Sequence, residues 1–178
     1  RLEGVRVGFE RVDPAPGHAA VGEAHVGEAL GEGLAGVAGV VQALVAGGGR
    51  LIDTGSTYGN AESVLGAVVQ ASKLRDRLFL ATKAEAPDID EFKRSLARLH
   101  VSSVDLMQLH NVRDARQSLA QFRDWKAQGL CRYVGVTSTY HQDFAAVEAV
   151  LEKEKPDFVQ IDYSIDNRLA EERVLPVA

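Results

Sequence analysis

From residue 50 onward, short apolar runs alternate with segments whose apolar positions recur every three to four residues. RLID (50–53), RLFLATK (77–83), SVDLMQLH (103–110), CRYVGVT (131–137) and DFVQIDY (157–163) have the length and side-chain types of strands. Between them AESVLGAVVQAS (61–72), DIDEFKRSLARL (88–99), ARQSLAQFRDWKAQG (115–129) and DFAAVEAVLEKE (143–154) carry the helical period, and AEERVLPVA (170–178) starts a further helix. In the second of these helices Phe92, Leu96 and Leu99 fall at i, i+4 and i+7, which makes one apolar stripe. Gly129 stands where a helix C-cap is needed, and Asp, Ser or Thr residues stand where the helices begin.

Strands that alternate with helices of about 10–15 residues make βαβ units and a parallel sheet. Such strands are covered on both faces, which suits continuous runs such as FLAT and DFVQI. The fold class is therefore α/β, closed either as a doubly wound open sheet or as a (β/α)8 barrel. A barrel takes about 250 residues, so this chain supplies only its first five to six units. Residues 1–49 read differently. VRVGF (5–9) has the look of a first strand, and GVVQALVAGGG (39–49) of a helix that ends in glycines. Residues 13–35 are mostly Gly, Ala, Val and Glu, and composition leaves open an insertion or a corrupted reading frame. The glycine run Gly47–Gly49 follows a helix and precedes a strand, the wrong order for a phosphate cradle.

Composition narrows the classes further. Of 178 residues, 46% are hydrophobic and 25% charged, as in an ordinary globular domain, and the formal net charge of −5 comes with no basic stripe for a nucleic acid. No run is long enough for a membrane helix, and a single cysteine, Cys131, rules out an internal disulfide and suits a reducing, cytoplasmic setting. The expected partner is a small molecule, with neither nucleic acid nor membrane. The chain begins on Arg1 and ends on Pro176-Val177-Ala178, and we expect a fragment of a longer protein, read as one partial barrel domain over 1–178.

In parallel α/β folds the ligand site lies at the carboxyl ends of the strands. The runs end on Asp53, Lys83, His110, Thr137 with Ser138, and Gln160, so an acid, an ammonium, an imidazole, hydroxyls and an amide converge on one rim. Tyr58 lies in the loop just after Asp53. A phenol is a weak acid at neutral pH, and an ammonium beside it stabilises the phenolate. Lys83 can supply that charge, Asp53 can hold Lys83, and His110 can hydrogen-bond at the same centre. Such a set delivers a proton to an oxygen on which negative charge is building, as in reduction of a carbonyl by hydride. No ligand-type residues recur at metal spacing, so no metal is expected.

DTGSTYGNAE, FLATK, DLMQLHN, YVGVTS and FVQIDYS occur in the order and approximate spacing found in aldo-keto reductases, and the chain resembles that family over about residues 50–178. The resemblance implies a (β/α)8 TIM-type barrel, NADPH (NADP+) as cofactor and reversible reduction of aldehydes and ketones to alcohols. It implies Tyr58 as general acid, Lys83 and Asp53 as the pair that tunes it, and His110 as the residue that orients the substrate carbonyl. It assigns Thr137, Ser138 and Gln160 to the nicotinamide carboxamide. Ser138 stands where the family usually has Asn, no Gly-Thr turn is evident near Gly8, and the last two βα units, which carry much of the phosphate grip, have no counterpart here. A barrel that senses the cofactor without turnover, or an inactive truncated chain, is the alternative. Trp125 and Cys131 read as packing residues.

Overall fold

The computed structural model describes Val7–Gly8 and residues 32–178. Most of the 13–35 stretch singled out by composition lies outside the described residues. The strands are β1 (Val7–Gly8), β2 (Leu51–Asp53), β3 (Phe79–Ala84), β4 (Val104–Leu109), β5 (Cys131–Ser138) and β6 (Phe158–Ile161). The helices are α1 (Glu32–Ala46), α2 (Ala61–Ser72), α3 (Ile89–Arg98), α4 (Ala115–Ala127), α5 (Phe144–Glu154), α6 (Leu169–Glu172) and α7 (Val174–Val177). The sheet order is β1-β6-β5-β4-β3-β2. Strands β2 to β6 are parallel neighbours in sequence order, and β1 adds two residues antiparallel to β6.

The five parallel strands form a curled half-barrel. In a flat sheet β2 and β6, four strand spacings apart, would be separated by about 19 Å. Yet Gln160 Nε2 of β6 donates to Asp53 Oδ2 of β2 at 3.1 Å. Two short side chains span that gap only if the sheet bends round on itself, as in a barrel wall.

The convex face carries the helices. Leu65, Val68 and Val69 of α2, Phe92 and Leu96 of α3, and Leu119, Phe122 and Trp125 of α4 pack on Leu80, Met107, Leu109, Val134 and Val136 of the sheet. Trp125 stacks between Phe92 and Phe122, with ring centroids 4.9 and 4.8 Å away. The opposite face alternates with it by the period-two rule. There Phe79, Tyr133 and Phe158 form an aromatic layer with ring centroids 5.3–6.0 Å apart. Phe79 shares a face with Lys83, and Phe158 with Gln160, so this apolar layer lies beneath the polar rim. A second, smaller core joins Phe144 and Val147 of α5 to Ile161, Ala170 and Val174.

Local chemistry accounts for most boundaries. Asp88 caps α3 by accepting the Asp90 and Glu91 amides at 2.9 and 3.2 Å. Asp114 and Asp143 precede α4 and α5 without a side-chain cap bond, unlike the expectation for those positions. Gly129 takes φ +77° just after α4, where a residue with a Cβ is strained. Gly66 lets α2 approach the end of α3: a Cβ there would lie 2.2 Å from the Arg98 carbonyl oxygen. Two boundaries differ from the sequence pattern. Helix α1 begins at Glu32 rather than near residue 39, and the final helix breaks into α6 and α7 around Arg173.

Candidate active site

Parallel register puts the carboxyl ends of β2 to β6 on one rim. Asp53 ends β2, and its carboxylate accepts from three side chains. Lys83 Nζ of β3 donates to Oδ2, Gln108 Nε2 of β4 donates to Oδ1 at 3.1 Å, and Gln160 Nε2 of β6 donates to Oδ2 at 3.1 Å. Lys83 is 1% exposed, and its ammonium also donates to the Thr54 carbonyl oxygen at 2.9 Å. A buried ammonium needs such partners, because its hydration is lost and only charge pairing and hydrogen bonds replace it.

The loop after β2 continues the ladder with β3: the Thr54 amide donates to Ala81 O at 3.0 Å and the Ser56 amide to Lys83 O at 3.1 Å. A turn then closes with the Tyr58 amide on Gly55 O at 3.1 Å. Gly55 lies against the phenol, since a Cβ there would meet the ring carbons at 3.3–3.4 Å. The small residues of this loop therefore let the tyrosine fold back over the rim. Lys83 Nζ lies 5.3 Å from the centroid of the Tyr58 ring, and the His110 ring meets Tyr58 edge-on with centroids 5.8 Å apart. At the far end of the loop, buried Glu62 in the first turn of α2 accepts from Thr82 Oγ1 at 2.6 Å and Arg98 Nε at 2.8 Å. That pairing ties the start of α2 to β3 and α3.

His110 follows β4, with its amide on Ala84 O at 2.9 Å. Its Nδ1 pairs with the Glu85 carboxylate. Thr137 Oγ1 accepts the Asn111 amide at 3.0 Å, which fixes the turn after His110, where Asn111 has φ +75°. Ser138 Oγ bonds within its own loop, to Tyr140 O at 3.2 Å and Asp143 Oδ2 at 3.3 Å. The structure thus brings Asp53, Tyr58, Lys83 and His110 together, with Gln160 as a partner of Asp53. Thr137 and Ser138 end β5, and their hydroxyls bond to the loops beside it. Gln108 and Glu85 are the members that the strand-end reading missed. Gln108 had a signal: a polar residue inside a buried strand, two positions before His110 and so on the same face.

Three buried side-chain oxygens have no partner among the described residues: Thr54 Oγ1, Asn111 Oδ1 and Gln160 Oε1. Gln160 Oε1 is an acceptor at the rim beside the Asp53 cluster, which fits an amide N–H donor such as a carboxamide. No helix among the described residues is long and apolar enough to cross a membrane, and no group of His, Cys, Asp and Glu among them is placed to hold a metal.

An aldo-keto reductase of Mycolicibacterium vanbaalenii is 32% identical, the match covering 57% of this chain and 40% of that protein. The chain thus spans about two fifths of the length of the curated relatives it matches. Among solved structures, an aldo/keto reductase from Brucella melitensis superposes with a TM-score of 0.66 at 25% identity, covering 81% of this chain and 58% of that one. An aldo-keto reductase from Klebsiella pneumoniae in complex with NADPH superposes with a TM-score of 0.65 at 25% identity, over 78% of this chain and 52% of that one. A model of the Aldo/keto reductase family matches residues 35–178, and the chain belongs to that family.

Proposed function

We propose that this chain is a partial barrel domain carrying the proton-donating half of an NADPH-dependent oxidoreductase that reduces aldehydes and ketones to alcohols. The observation that carries the reading is the joining of Asp53, Lys83, Tyr58 and His110 into one contact set at the carboxyl rim. NADPH, when bound, supplies the hydride. Tyr58 gives its proton to the substrate oxygen. Lys83 lies beside the phenol and favours the phenolate that remains, while Asp53 and the Thr54 carbonyl hold Lys83 in place. His110 holds the substrate's oxygen in line with Tyr58. Gln160, through its unpartnered Oε1, would hold the nicotinamide carboxamide of the bound cofactor, with Thr137 and Ser138 at the end of the neighbouring strand β5. The substrate is a small carbonyl compound, and the cytoplasm suits a chain with one buried thiol.

The test is Tyr58→Phe, measured as aldehyde-dependent oxidation of NADPH in the complete barrel to which this segment belongs. Loss of general-acid catalysis predicts a fall in kcat of about 10²–10⁴-fold with the affinity for NADPH retained. Unchanged turnover would remove Tyr58 from the reaction and with it the assignment.

A further inference from the structure

Gln108 is an amide set among Leu106, Met107 and Leu109 of β4, and it is 2% exposed. Burying an amide costs free energy that an apolar side chain in the same place would not cost, unless a hydrogen bond offsets it. A carboxylate only accepts hydrogen bonds, so the end of the amide that meets Asp53 Oδ1 at 3.1 Å is its NH2 end. Lys83 and Gln160 share the other oxygen, Oδ2. The sheet leaves room for this reach. In register, Lys83 is paired with Gln108, and Gln108 with Gly135. A Cβ on Gly135 would lie 3.3 Å from Cγ of Gln108 and 3.0 Å from the Phe158 carbonyl oxygen. The bare position beside Gln108 on β5 leaves its side chain uncrowded.

We propose that Gln108 is a positioning residue for the proton donor: its amide holds Asp53 by Oδ1, which turns Oδ2 to Lys83 and keeps the ammonium beside the Tyr58 phenol. The proposal rests on the site being the carbonyl-reducing one described above, and it deepens that reading by one residue. Gln160 also donates to Asp53, but its amide faces the cofactor as well. Gln108 has no place among the groups assigned to cofactor or substrate, so it acts on the reaction through Asp53. A neutral donor suits the position. It steadies the carboxylate without a second cation that would compete with Lys83 for it, and without a second acid that would share a proton with it.

The experiment compares Gln108→Met and Gln108→Glu with the wild type in the complete barrel, by kcat for aldehyde reduction and by NADPH affinity, from about pH 5 to about pH 8. Gln108→Met keeps the bulk and loses the donor. It should lower kcat about tenfold at every pH, the loss of one hydrogen bond to a charged group, with NADPH binding within about twofold of the wild type. Gln108→Glu keeps a donor only while the introduced carboxyl is protonated. The titratable groups of the cluster are Asp53 of β2, Tyr58 of the loop after it, Lys83 of β3 and His110 after β4, while β5 and β6 present Gly135 and Gln160. Burial and the Asp53 charge hold the introduced carboxyl protonated above its ordinary range, against the pull of Lys83. At the acid end the variant should lie within about threefold of the wild type, and as the shared proton leaves, its kcat relative to the wild type should fall by about tenfold or more. A ratio that stays flat across the range, wild-type kcat in Gln108→Met, or a loss of NADPH affinity as large as the loss of kcat overturns the proposal. Circular dichroism over the same range follows the fold, and unfolding of Gln108→Glu in step with its loss of rate makes Gln108 structural and overturns the proposal too. If Gln108→Met does not fold, the pH series of Gln108→Glu decides by itself. Tyr58→Phe in the same assay tests the reaction separately. If it loses turnover while both Gln108 variants match the wild type, this proposal alone fails; if it keeps full turnover, the reading beneath it fails.

Discussion

Lys83 is a buried ammonium held chiefly by one carboxylate, which makes its pairing with Asp53 measurable as stability. Asp53→Asn removes the counter-charge and leaves the ammonium with the Thr54 carbonyl. Breaking a buried pair from the acid side costs about 3–5 kcal/mol, because the remaining charge has no hydration to return to. Lys83→Met removes the ammonium instead. Asp53 then keeps the Gln108 and Gln160 amides, and at 11% exposure it keeps some contact with water. That change should cost about 1–2 kcal/mol, the loss of a charge-assisted hydrogen bond. The double variant contains no buried unpaired charge, and it should lie near Lys83→Met rather than near the sum. The interaction energy of the cycle is then at least about 2 kcal/mol. Urea unfolding followed by far-ultraviolet circular dichroism gives all four stabilities. Screening by salt should change the result little, because the pair is enclosed. If the two single costs add within about 0.5 kcal/mol, Lys83 does not depend on Asp53 for its charge, and the account of how the proton donor is held in place fails.

Two further outcomes test the frame that carries the site. Gly66→Ala puts a Cβ within 2.2 Å of the Arg98 carbonyl and 2.7 Å of the Leu99 carbonyl carbon. Backbone atoms cannot turn aside, so overpacking should outweigh the better helix propensity of Ala and destabilise the chain by about 2 kcal/mol; a variant as stable as the wild type would show that α2 does not approach α3 so closely. Burial pushes the Cys131 thiol up to about 11, so between the pKa of a free thiol and that value the unfolded chain ionises while the folded chain keeps its proton. Stability should be full below about pH 9 and fall by of order 2 kcal/mol towards pH 11, and Cys131→Ala, compared with the wild type by urea unfolding across that range, should abolish this part of the slope; the same slope in both would refute the burial.

The sequence pattern and the structure part company where the physics is not local. Helix α2 was legible at both ends, because its apolar period starts after a Gly-Asn turn and stops at a polar stretch. Helix α1 was not, since Gly and Ala supply too little apolar bulk for a period to show before Val40. The break in the last helix falls at Arg173, three residues before Pro176, whose missing N–H removes a helical bond that a hydrophobic pattern does not register. In the site, Asp53, Lys83, His110 and Gln160 were legible as polar ends of apolar runs. What they bind was not. Periodicity says that Gln160 and Asp53 face the same side of a sheet, but their contact across 107 residues depends on how far that sheet curls, which no window of sequence contains. Gln108 and Glu85 escaped for a simpler reason: only the last one or two positions of each run were read. A parallel strand presents every second residue to the same face, so a site at its carboxyl end recruits the position two before the end and the position two beyond it. Reading β3 and β4 at that spacing, rather than at their final residues, turns Lys83 into Lys83 with Glu85 and His110 into His110 with Gln108. Those two additions supply the donor that completes Asp53 and the carboxylate that pairs with the imidazole.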